Sequence, residues 1–133
     1  MTTQALPQPT VLLFGLKDPG RLAAIRSYLN AAGIKAVVVP DGAWSQSLGA
    51  LLELPGFERT PAALPAGAGR EEMLVMFGFR DRMLGDLLRF FRERGLPPVS
   101  LKAMVTPTNV QWSAAQLQEE LKQERAWFHT ELP

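Results

Sequence analysis

Two stretches of the chain repeat one another. FGLKDPGRLAAIRSYLNAAGI, residues 14–34, aligns with FGFRDRMLGDLLRFFRERGL, residues 77–96, with one gap. Phe14 meets Phe77, Gly15 meets Gly78, Lys17 meets Arg80 and Asp18 meets Asp81. Beyond the gap, Leu22 meets Leu84, Ile25 meets Leu87, Leu29 meets Phe91 and Gly33 meets Gly95. A short apolar run leads into each copy, TVLLFGL (10–16) and EEMLVMFGF (71–79). Another follows each, IKAVVV (34–39) and SLKAMVT (100–106). Short apolar runs read as strands, and helically spaced apolar residues ending one position before a glycine read as a helix with its C-terminal cap. Each half is therefore a βαβ unit. Part of the agreement is grammar that any such unit shares, and the F-G-φ-(K/R)-D match at the strand ends goes further. Duplication and convergent patterning both account for it.

The rest of the chain is organised around these units. Residues 1–9 read as a flexible arm, and 10–133 as a single α/β domain. The first βαβ unit takes 10–40, a helix and mobile loop 41–70, the second unit 71–106, and a C-terminal helix 113–129. Asp18 and Asp81 stand where N-caps belong, and Pro19 suits the first helical position. A short helix is expected from Ser45 to Glu53, ended by Pro55 and Gly56. The stretch PGFERTPAALPAGAGR (55–70) has little periodicity and reads as a surface loop. Ser113 and Gln116 fit a capping box, with Trp112 and Leu117 as its hydrophobic staple. Ala114, Leu117, Leu121 and Phe128 form the stripe of that last helix.

Two βαβ units can assemble in two ways. The favoured one is a four-stranded, mainly parallel sheet of order 2-1-3-4 with helices on both faces, because the first three strands are apolar without alternation. The alternative is a ferredoxin-like α+β sandwich with both main helices on one face. SLKAMVT alternates in polarity and suits an edge strand.

Composition narrows the function. With 133 residues and 47% hydrophobic content, the chain builds a core without metal or disulfide. It has no cysteine and one histidine, which excludes thiolate chemistry and multi-histidine metal sites within one chain. A net charge of +1 argues against nucleic acid as a partner. No apolar run reaches the roughly 18 residues of a membrane span, and the N-terminus lacks signal-peptide features. A cytoplasmic protein is expected. No cofactor is implied, and no nucleophile–base pair or phosphate loop points to catalysis.

Two candidate sites emerge. In the parallel arrangement the loops carrying Lys17–Asp18 and Arg80–Asp81 flank the crevice at the topological switch point, where an anion would meet two helix N-termini. The second candidate is the segment 102–112, LKAMVTPTNVQW counted from Leu101. Lys102, Thr106, Thr108 and Asn109 offer polar groups, and Trp112 a wall, for a small ligand. Each has a structural reading too: Lys102 guarding an edge, Thr and Asn satisfying turn amides, Trp112 stapling the helix. Phe90 beside Phe91, and Trp127 beside Phe128, cannot both face one core stripe. Phe90 and Trp127 are therefore candidate interface anchors.

The same segment resembles the signature of a bacterial family known only as a domain of unknown function. Its hallmark is Lys-Ala-x-x-Thr-Pro-x-Asn-x-x-Trp, met here by Lys102, Ala103, Thr106, Pro107, Asn109 and Trp112. The resemblance extends over residues 10–128. Where the family carries a Glu-His pair near its end, this chain has Glu124 and Arg125. The resemblance implies no activity and no catalytic residue. The expectation is a self-associating interaction module, with a small-molecule or anion-binding domain built on Lys102–Trp112 as the alternative.

Overall fold

The structure is a computed structural model that describes residues 8–60 and 71–131, with side chains to Arg125. The strands are β1 (Thr10–Phe14), β2 (Lys35–Val39), β3 (Met73–Phe77) and β4 (Leu101–Met104). The helices are α1 (Pro19–Ala31), α2 (Leu48–Leu51), α3 (Met83–Arg94) and α4 (Ala114–Glu131). The expected α/β sheet is present, in the order β2-β1-β3-β4. β1 pairs with β2, and β3 with β4, in parallel. The arm expected over residues 1–9 and the loop expected up to residue 70 fall largely outside the described residues.

The central pair departs from expectation: β1 and β3 run antiparallel. Leu12 faces Val75, with Thr10–Phe77 and Phe14–Met73 to either side. The repeat alignment makes Phe14 equivalent to Phe77, and hence Leu12 equivalent to Val75. Two equivalent residues thus face one another, and a pseudo-two-fold axis normal to the sheet passes between them. That axis puts both crossover helices on one face, where helices on both had been expected. Ile25 and Leu29 of α1 share a cluster with Leu87, Phe90 and Phe91 of α3, over Val11, Leu13, Leu74 and Met76.

The reason lies in residues 40–72. A crossover was expected there because the segment is long and contains a helix. Met73 opposite Phe14 means that β3 begins at the end where β2 stops, so the chain has no sheet to cross. Its apolar residues cover the second face instead. Trp44, Leu48 and Leu51, with Ala114 and Leu117 of α4, pack on Leu12, Phe14, Met73 and Val75. All five residues of β1 are therefore buried, which explains why its sequence does not alternate.

The halves repeat in detail. Gly15 and Gly78 have φ of +68° and +75°, and Gly33 and Gly95 +76° and +64°, a region that L side chains rarely adopt. Ile34 N–H donates to Leu29 O at 2.8 Å and Leu96 N–H to Phe91 O at 3.0 Å, so both helices end in the same Schellman hydrogen bond. The N-termini differ. Pro19 opens α1 after Asp18 in extended conformation, although the Asp18 side chain makes no cap bond. Asp81, expected to cap α3, has φ of +53°; the cap position falls to Arg82. Ser113 Oγ accepts from Gln116 N–H at 3.1 Å, as the capping box requires.

Candidate functional site

The antiparallel centre separates the first pair of candidate residues. The loop with Lys17 and Asp18 follows Phe14 at the Met73 end of β3. The loop with Arg80 and Asp81 follows Phe77 at the Thr10 end of β1. The switch-point crevice expected between them does not form. Lys17 instead pairs with Asp41 after β2 at 3.0 Å, on an exposed surface.

The second candidate closes on itself. Asn109 is 8% exposed, and its amide is spent on the backbone. Its Oδ1 accepts from Thr106 N–H at 2.8 Å, and its Nδ2 donates to Met104 O at 3.0 Å. Thr106 Oγ1 accepts from Asn109 N–H at 3.0 Å. Thr108 is exposed at the head of the 3₁₀ turn Asn109–Gln111. Trp112 packs against the cluster that holds Ala114 and Leu117. Lys102 leaves this group altogether. It is paired with Leu74, whose side chain belongs to the α1/α3 face, whereas Trp112 packs on the other.

These bonds have a consequence for the sheet edges. Val105 N–H donates to Met76 O at 2.9 Å. By the alternation of a parallel ladder, Leu101 and Ala103 also bond inward, and Lys102 and Met104 turn their main-chain groups outward. Asn109 fills the Met104 carbonyl, and the Lys102 side chain on the same strand carries a charge, its ammonium bonded to Val99 O. Both devices blunt an edge strand. On β2, Lys35 N–H donates to Pro9 O at 2.8 Å, so Ala36 and Val38 turn outward. Val38 is 45% exposed and Met104 37% exposed, the exposed large apolar residues among those described. They stand at equivalent positions, since Thr10 pairs with Lys35 and Met73 with Leu101. Among the described residues, one edge has its carbonyl filled at this position and its counterpart does not.

Phe90 is not the free anchor that its neighbour suggested. It is 8% exposed, stacked on Tyr28 at 4.4 Å and edge-on to Phe91 at 5.7 Å. Both phenylalanines fit because α3 packs on the sheet and against its neighbour α1 at once, which widens its buried face. The Trp127 side chain lies outside the described residues.

A crevice of about 510 Å³ opens at the carboxyl ends of β1 and β2, lined by Gly15, Lys17, Asp41, Glu71, Glu72 and Ser100. Its charges brace the fold. Arg21, 7% exposed, bonds to Glu72 and donates to Pro97 O from Nη2 at 2.8 Å. Arg125 of α4 donates to Glu71 Oε2 at 2.8 Å and to Ser100 Oγ at 2.9 Å. Lys122 lies 3.8 Å from the Glu71 carboxylate. The hydrogen bond from Arg125, outweighing partial burial, holds the Glu71 carboxyl below its ordinary value. Gln118, 3% exposed, clamps the Glu71 backbone, accepting at 3.1 Å and donating at 2.8 Å. Gln46 clamps Thr60 in the same way, at 2.7 and 2.6 Å. Among the described residues no grouping of three or more His, Asp or Glu could hold a metal, and no helix is long and apolar enough to cross a membrane.

Sequence reasoning missed these polar residues, and a signal for two of them was present. Arg21 is four before Ile25, and Gln118 four after Ala114, each on its helix's apolar stripe. A polar residue on such a stripe must find a buried partner.

A depressed carboxyl stabilises the fold at pH values above the unfolded carboxyl range, and that contribution is lost as pH falls through the folded value. Glu71→Gln is expected to be less stable than the wild type at neutral pH. The gap should narrow on acidification and close below the folded Glu71 value. Urea melts of both proteins at a series of pH values measure it; a gap independent of pH contradicts the assignment.

Residues 72–128, from the edge of β3 through most of α4, match a family described as Domain of unknown function (DUF3783). The match contains the whole Lys102–Trp112 segment, whose hydrogen bonds hold the turn and fill the Met104 carbonyl at the β4 edge. No curated protein and no solved structure matches the chain.

Proposed function

We propose that the protein is an interaction module that self-associates through the open edge of β2. The observation that supports this reading is the difference between two equivalent edges. Asn109 fills the outward Met104 carbonyl of β4, while the outward main-chain groups of Ala36 and Val38 on β2 have no such partner among the described residues.

A second copy of β2 fits this edge antiparallel, centred on Val37 facing its own counterpart. Ala36 then faces the partner's Val38, and the two residues exchange both main-chain hydrogen bonds. The arrangement repeats across the two-fold, and the two Lys35 side chains lie at opposite ends. Closure of β4 limits the assembly. Two open edges would allow head-to-tail growth, whereas one open edge gives an isologous dimer. A five-residue strand pair is smaller than the roughly 1,200–2,000 Å² of a standard stable interface, so the dimer is weak and concentration-dependent. Sedimentation equilibrium over the micromolar to millimolar range is expected to show a reversible monomer–dimer equilibrium. A monomer throughout, or higher oligomers without a dimer, contradicts the proposal.

A further inference from the structure

A separate cavity of about 250 Å³ lies between α3 and β4. Its walls are Leu74, Leu88, Phe91, Leu96 and Val99, and two of the other lining residues are cationic, Arg92 and Lys102. The ammonium of Lys102 donates to Val99 O at 2.6 Å. That uses one of its three protons, and the side chain is half-buried. Among the described residues neither Arg92 nor Lys102 has a carboxylate partner, in contrast to Arg21, Arg125, Lys122 and Lys17. A half-buried ammonium is costly unless its charge is matched, and an apolar wall beside it has no polar group to do so.

From this we infer that the cavity is a binding site for a medium-chain monocarboxylate, with the acyl chain against Leu88, Phe91 and Leu96 and the carboxylate between Lys102 and Arg92. The chemistry is a charge-assisted contact at one end and apolar burial at the other. The volume is below the roughly 300–1,000 Å³ of sites for drug-sized ligands, so the ligand is a medium-length aliphatic chain or a single ring. The inference is independent of the β2 edge.

The test is a titration of the full chain with octanoate, followed by the leucine methyl NMR signals and by calorimetry. 1-Octanol and octylamine serve as probes that keep the chain and change the head. Octanoate is expected to shift the Leu88 and Leu96 methyls saturably, and to bind at least tenfold more tightly than octanol or octylamine. Lys102→Met is expected to weaken it at least tenfold. Arg92→Gln, at an exposed position, should weaken it as well, which keeps the test decisive should Lys102→Met fold poorly. Equal binding of octanol, unchanged affinity in both variants, or no saturable shift of these methyls overturns the inference.

Discussion

Replacing Trp44 with alanine is expected to lower the stability of the fold by about 3–5 kcal/mol. Trp44 is 1% exposed and the largest of the fully buried side chains. Its ring stands 4.9 Å from that of Phe14, tilted by 58°, an arrangement that adds to simple burial. The residue also ties chain segments together, since its carbonyl accepts from Ala115 N–H at 3.0 Å, at the start of α4. Removing the indole leaves a void between β1 and the two helices of the second face, and a domain of this class has only about 5–15 kcal/mol in total. A urea melt measures the loss. A change below 1 kcal/mol would mean that the second face contributes little, and that α1 and α3 alone hold the sheet.

The second large effect concerns association. Val38→Lys is expected to raise the dimer dissociation constant by about ten- to a hundredfold, or about 1.4–2.7 kcal/mol. The substitution places an ammonium beside the partner's Ala36 on each side of the two-fold and removes apolar contact from the seam. An exposed lysine is a common guard on an edge strand. Val38 is exposed, so the monomer should melt within about 0.5 kcal/mol of the wild type. Met104→Lys, at the equivalent position on the closed edge, should leave the dimer unchanged. Sedimentation equilibrium of the two variants separates the outcomes. Equal weakening by both, or by neither, argues against β2 as the seam.

The strands, the two long helices and their glycine caps were legible in the sequence because each rests on local periodicity. The order of strands was legible as well, since the repeat declares two βαβ units. The direction of one unit against the other was not. It depends on where residues 43–52 find a surface for Trp44, Leu48 and Leu51, and a four-residue helix has too short a pattern to announce its face. The segment 102–112 was legible as unusual, and its purpose was not. Lys102 and Trp112 lie on opposite faces of the sheet, which only the strand register decides. Asn109 binds Met104 five residues earlier, a link that exists only because the chain turns back across the edge. Phe90 read as surplus beside Phe91 because a single helix has one stripe; the pseudo-two-fold brings α1 against α3 and gives Phe90 its partner, Tyr28.

Disulfide trapping tests the β2 seam most directly, because the chain has no cysteine of its own. In the antiparallel register centred on Val37, the two Val37 residues form a pair that is not hydrogen-bonded, with Cα atoms about 4.5 Å apart. That lies within the roughly 4.4–6.8 Å span of a disulfide. Val37→Cys under mild oxidation is expected to give a covalent dimer whose yield rises with protein concentration before oxidation and falls when Val38→Lys is added, while Met104→Cys stays monomeric. Failure of Val37→Cys to cross-link at concentrations where the wild type is dimeric, or equal cross-linking by Met104→Cys, would contradict pairing through β2.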